Sequence, residues 1–97
     1  MKFEDAKKQI GTECTLSEMD NFFSPFNSNS IFNGDEGEKA IEELIREKKS
    51  NFSYVCEYGD ASDGYCVEFS LVREDPDSMI YGSYANTVVK ITDVWEH

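Results

Sequence analysis

The sequence predicts an α+β domain in which short N-terminal helices and one longer amphipathic helix pack on a three- to four-stranded antiparallel sheet. Three observations lead there. Helical spacing and capping signals are confined to residues 1–49, and period-2 alternation of apolar residues starts at Phe52 and recurs as far as Trp95. The order, helices first and strands after, favours an antiparallel sheet covered on one face over a βαβ arrangement. Ninety-seven residues make a single domain, 1–97, with one modest core. A hydrophobic fraction of 39% supports folding even though 30% of the residues are charged. Seven Phe and five Tyr make the expected core largely aromatic.

The first helix is predicted from Phe3, Ala6, Lys7 and Ile10 at helical spacing, with Glu4 and Asp5 in the first turn and Gly11 placed to end it. Thr15-Leu16-Ser17-Glu18 then has capping-box spacing, a hydroxyl at the N-cap and a carboxylate three residues on. It opens a second short helix carrying Leu16, Met19, Phe22 and Phe23, which Ser24-Pro25 stops. Residues 24–37, SPFNSNSIFNGDEG, are turn-rich. Phe26, Ile31 and Phe32 interrupt the polar run and are expected to pin this loop to the core. In the third helix, Asp35 and Glu38 again have capping-box spacing. Ala40, Ile41, Leu44 and Ile45 form its apolar stripe, Glu42 and Arg46 stand at i,i+4, and Lys48 and Lys49 complement its C-terminal dipole.

A hairpin follows over Asn51 to Val72. The pairing that keeps one face apolar sets Tyr58 opposite Tyr65, Cys56 by Val67, Tyr54 by Phe69 and Phe52 by Leu71, with the loop Gly59-Asp60-Ala61-Ser62-Asp63-Gly64. Cys66 then faces outward with Glu57 and Glu68. The competing pairing of Cys56 with Cys66 would allow a disulfide, but it sets Phe52 against Ser70 and Tyr54 against Glu68. After the acidic turn Arg73 to Asp77, residues 79–84 and 87–95 read as two further strands about an Ala85-Asn86 turn. The second is the stronger, being rich in Thr, Val and Ile.

Little in the chain supports catalysis. His97 is the sole histidine and stands at the chain end, so Cys-His and Ser-His-Asp arrangements would depend on a terminal residue. Cys14, Cys56 and Cys66 lack metal-ligand spacing, and the Asp60–Gly64 loop has neither the full calcium-loop spacing nor a closing Glu. No metal, cofactor or catalytic residue is therefore expected. Odd-numbered, scattered cysteines fit free thiols in a reducing compartment, and neither a signal-like start nor an apolar run of about 18 residues is visible, so a cytoplasmic protein is expected.

Charge carries the functional expectation. Nine Lys and Arg against twenty Asp and Glu give a net charge of -11. Residues 1–50 hold eleven acids and seven bases, whereas residues 51–97 hold nine acids and only Arg73 and Lys90. Such a field repels nucleic acid and anionic membrane and attracts basic proteins. Glu57, Asp60, Asp63 and Glu68 on the hairpin, Glu74, Asp75 and Asp77 just beyond it, and the interleaved Tyr58 and Tyr65 make the candidate partner-binding surface. The expected function is that of a non-enzymatic inhibitor that occludes a basic protein, as immunity proteins do for nuclease toxins. A phage anti-defence mimic of nucleic acid and an adaptor whose acidity serves solubility are the alternatives.

Overall fold

The computed structural model describes residues 3–23, 30–54, 64–74 and 84–96. Among these residues three helices and four strands follow in the order α1 (Phe3–Lys7), β1 (Glu13–Thr15), α2 (Leu16–Phe23), α3 (Gly34–Glu47), β2 (Lys49–Tyr54), β3 (Tyr65–Arg73) and β4 (Val88–Glu96). The strands form one antiparallel sheet in the order β1-β4-β3-β2. The α+β class is thus the observed one.

In α1, Ala6 is buried and Phe3 packs on the core, but Ile10 lies in the turn beyond the helix and is 41% exposed. Gly11 ends this segment at φ +96, where a side chain is disfavoured, and its N–H donates to the Ile91 carbonyl at 2.7 Å. Strand β1 was not expected. It is three residues long with a single inward side chain, Cys14, too short for alternation to declare it; pairing of Glu13, Cys14 and Thr15 with Lys90, Val89 and Val88 makes it a strand.

The capping box of α2 forms as expected. The Glu18 N–H donates to Thr15 Oγ1 at 3.1 Å and the Thr15 N–H to Glu18 Oε1 at 3.0 Å, which holds the Glu18 carboxyl below its usual 4.5. The Leu16 and Ser17 N–H groups, which a helix start leaves without intrahelical partners, donate to the carbonyls of Thr87 and Ala85. That ties α2 to the Ala85-Asn86 turn, itself closed by the Thr87 N–H on Tyr84 O at 3.0 Å. Residues 79–83 of the weaker predicted strand lie outside the described residues. The buried set of α2 is Leu16, Met19, Asp20 and Phe23, an i, i+3, i+4, i+7 stripe that leaves Phe22 39% exposed; the expectation for Phe22 is corrected accordingly.

In α3, Ala40, Ile41 and Leu44 are buried and Ile45 is half-buried, close to the expected stripe. Its capping is different. Asn33, not Asp35, is the N-cap and makes no side-chain cap bond, while Asp35 sits exposed in the first turn. Arg46 pairs with its neighbour Glu47 at 3.0 Å, not with the expected Glu42. Lys48 ends the helix in the left-handed region (φ 66), its N–H on the Leu44 carbonyl and its Nζ on the Ile45 carbonyl at 2.9 Å. Lys49, expected at the helix end, is already the first residue of β2.

The hairpin register differs from the expected one by four residues. Tyr54 faces Tyr65, Phe52 faces Val67 and Ser50 faces Phe69. A shift by an even number leaves every side chain on its face, so alternation cannot detect it. The observed ladder runs on to the helix end, where the Lys48 carbonyl accepts the Leu71 N–H at 2.9 Å and β2 starts with no connecting loop. Cys56, Tyr58 and residues 59–63 of the expected loop lie outside the described residues. Cys66 does face outward, yet it is only 7% exposed; it lies opposite Trp95, with Ser53 Oγ and Asn51 Oδ1 each 3.7 Å from its sulfur. Cys14 and Cys66 are free thiols.

The core lies between the inner sheet face and the helices. Phe52, Tyr54, Tyr65, Val67, Phe69, Val89 and Ile91 meet Leu16, Met19, Phe23, Ile41 and Leu44. Aliphatic side chains outnumber aromatic ones in it, so the core is not largely aromatic as expected; the rings gather at one end, with the Phe23 ring 5.6 Å from Tyr54 and 5.8 Å from Tyr65, and Phe52 edge-on to Tyr54 at 4.9 Å.

Candidate partner-binding surface

Of the nine residues singled out in the sequence, Glu57, Tyr58, Asp60, Asp63, Asp75 and Asp77 lie outside the described residues. The other three do not form one patch. Tyr65 is a core residue, 3% exposed, with its hydroxyl donating to the Phe23 carbonyl at 3.2 Å, so its ring is not available to a partner. The correction has a plain cause: the apolar face of the strand reaches its first residue. Glu68 lies on the outer sheet face and is already engaged, by Lys49 Nζ at 3.2 Å and by the Thr92 hydroxyl at 2.9 Å. Glu74 is half-buried just past the end of β3, six residues further along and so up to about 20 Å away along a strand.

A second acidic surface was not singled out in the sequence. Asp35, Glu36, Glu38, Glu42, Glu43 and Glu47 on α3 are all exposed, with only Lys39 and Arg46 among them. In the sequence this pattern reads as an ordinary solvated helix face. Its setting makes it the candidate site. Beside the first half of α3 is a groove of about 800 Å³ with Ile31, Phe32, Ile41 and Tyr84 in its lining and the carboxylates of Asp35, Glu38 and Glu42 around it.

Three local arrangements hold this groove open. Asp20, buried in α2, accepts the Ser30 hydroxyl at 2.7 Å, the Ile31 N–H at 3.1 Å and the Tyr54 hydroxyl at 2.9 Å. Ser30 Oγ in turn accepts the Phe32 N–H at 3.1 Å. The turn so fixed buries Ile31 to 1% exposure and leaves Phe32 41% exposed on the groove. Second, Gly37 lets the α3 backbone lie against the Ile31 backbone; a Cβ there would stand 2.6 Å from the Ile31 carbonyl carbon and closer still to its oxygen. Third, the Tyr84–Thr87 turn is tied to the start of α2. The expectation that Ile31 pins the loop holds. Phe32 does not pin it, and Phe26 lies outside the described residues.

A smaller depression of about 540 Å³ lies beside β2, lined by Glu43, Arg46, Glu47, Lys49, Ser50, Asn51 and Glu68. Its cations are already satisfied by Glu47 and Glu68. Ser50 Oγ is buried there without a hydrogen-bond partner among the described residues.

Elsewhere the described chemistry is quiet. Burial, with Glu18 nearby, pushes the Cys14 thiol up to about 11, and burial likewise raises Cys66, so both thiols are held protonated and weakly nucleophilic. Burial first, then the Asp20 carboxylate, raises the Tyr54 phenol well above its usual 10.0. Among the described residues no three His, Cys, Asp or Glu side chains are grouped to hold a metal ion, and no helix is long and apolar enough to cross a membrane. Comparison with protein-family models, curated proteins and solved structures gave no match from which a family could be assigned.

Proposed function

We propose that this protein is a small acidic inhibitor that binds and occludes a basic protein partner, and that it acts in the cytoplasm as an immunity protein against a nuclease-type toxin. The observation that carries this reading is the combination of a net charge of -11 with six exposed carboxylates on a single helix, beside a groove that offers the ring surface of Phe32 and Tyr84. Carboxylates on a rigid helix can take the places that substrate phosphates occupy on a basic enzyme. A uniform field of this sign speeds association. Aromatic surface at the centre supplies the desolvated contact that charge alone does not. The mechanism is occlusion, with no chemical step.

The test is capture from the native host at low ionic strength with the tagged chain, elution along a rising salt gradient, and identification by mass spectrometry. A basic nuclease or nucleic-acid-binding protein, released only at high salt and inhibited when the purified chain is added back, is the expected result. A neutral or acidic partner, or retention that is unchanged across the gradient, would overturn electrostatic occlusion.

A further inference from the structure

We propose that the groove between α3 and the Tyr84–Thr87 turn is a receptor for an arginine side chain of the basic partner. This rests on the inhibitor reading above and specifies which contact anchors it. The groove has two chemical halves. Phe32, 41% exposed, and the half-buried Tyr84 supply ring surface, backed by the buried Ile31 and Ile41. Asp35, Glu38 and Glu42 supply three exposed carboxylates, and among the described residues no Lys or Arg lines the groove to compete for them. A cation with an apolar stem and a flat head matches both halves. Guanidinium stacks on aromatic faces and takes carboxylate oxygens in pairs, whereas ammonium is a compact, strongly hydrated point charge, so arginine is favoured over lysine. An anion is disfavoured by the same three carboxylates. The apolar half is also fixed in advance, because the Asp20 hydrogen bonds set the Phe32 turn before any ligand arrives, which reduces the ordering cost of binding.

The experiment is a titration of the ¹⁵N-labelled full chain, followed by amide shifts, with three capped single-residue amides: acetyl-arginine amide, acetyl-lysine amide and acetyl-citrulline amide. Citrulline keeps the shape of arginine and removes its charge. The expected result is a saturable shift with arginine, centred on the amides of Phe32, Gly34, Asp35 and Ala85, at least threefold weaker for lysine and at least tenfold weaker for citrulline. Asp35→Asn/Glu38→Gln/Glu42→Gln should weaken the arginine response at least tenfold, and Phe32→Ala severalfold; all four side chains are exposed, so the fold should be kept. Shifts scattered over the acidic surface without saturation, or a citrulline response equal to that of arginine, would overturn the proposal. A lysine response equal to arginine would overturn the guanidinium assignment. The triple variant also separates this idea from the inhibitor reading. A captured basic partner that still binds it at full strength overturns the arginine receptor alone. Absence of any basic partner overturns the inhibitor reading, while the arginine titration still reports on the groove.

Discussion

Asp20 accepts three hydrogen bonds from two segments distant in sequence, the Ser30 hydroxyl and Ile31 N–H from one and the Tyr54 hydroxyl from the other. Nothing in its neighbourhood of the chain sets it apart from the other nineteen acids. Position alone gave a hint, since Leu16, Asp20 and Phe23 lie on one face of a helix and a carboxylate on that face must find donors. Asp20→Ala leaves the Ile31 N–H and the Tyr54 hydroxyl without their acceptor in the core and is expected to cost about 3 kcal/mol of stability. Asp20→Asn keeps one acceptor oxygen and should cost less. Urea denaturation of the three proteins checks both, and a loss below about 1 kcal/mol for the alanine variant would show that the turn is held by Ile31 packing instead. Alkaline pH provides a second test. Cys14 ionises near 9.0 when unfolded but only at about 11 when folded, and Tyr54 likewise ionises above its usual 10.0. The unfolded state therefore loses protons first. Stability that is fully present below pH 9 should fall as the pH rises through 9 to 11, and Cys14→Ala should flatten the first part of that fall relative to its own value at pH 8.

At the scale of elements, alternation and helical spacing located the elements but not their mutual register. Residues 34–47 form the long helix because the Ala40, Ile41 and Leu44 stripe is unambiguous, and β4 forms where β-branched residues concentrate. The hairpin register is four residues from the one that alternation favours, because an even slip keeps each side chain on its face, and the ladder continues through Lys48 and Leu71, a contact between a helix end and a strand that alternation does not address. Strand β1 was illegible because three residues carry no period. The packing of α3 on the Ile31 turn depends on Gly37, a position that read only as part of a polar loop. In an ordinary helix, replacing Gly by Ala gains up to about 1 kcal/mol. Here the added carbon would overlap the Ile31 carbonyl, which is backbone and cannot rotate away. Gly37→Ala should therefore destabilise, reversing the usual sign, and should also shift the Phe32 amide. Thermal denaturation with an amide spectrum decides it. A gain in melting temperature would mean that α3 and the turn do not touch as closely as this backbone contact requires.

For the whole molecule, fold class and charge were legible because both are sums over the chain, whereas the groove was not, since its lining joins Ser17 to residues within 31–42 and 84–85. The same sum has a cost. A net charge of -11 on 97 residues makes the compact state repel itself, and Glu43 and Glu47 add to this by standing toward the negative end of the α3 dipole. If these acids are kept for a partner, stability and binding should respond to their removal with opposite sign. Glu42→Gln/Glu43→Gln/Glu47→Gln is expected to raise the melting temperature at low ionic strength and to have a smaller effect at 1 M salt, where the screening length falls to about 3 Å. The wild-type chain should gain stability as salt is added from about 10 mM upward, for the same reason. Binding to a basic partner should weaken with the same triple change, and most of the loss should be in the association rate. A variant that loses both stability and binding would show that these glutamates hold the fold together. One that gains stability and keeps full binding would place the partner's contacts elsewhere than on α3.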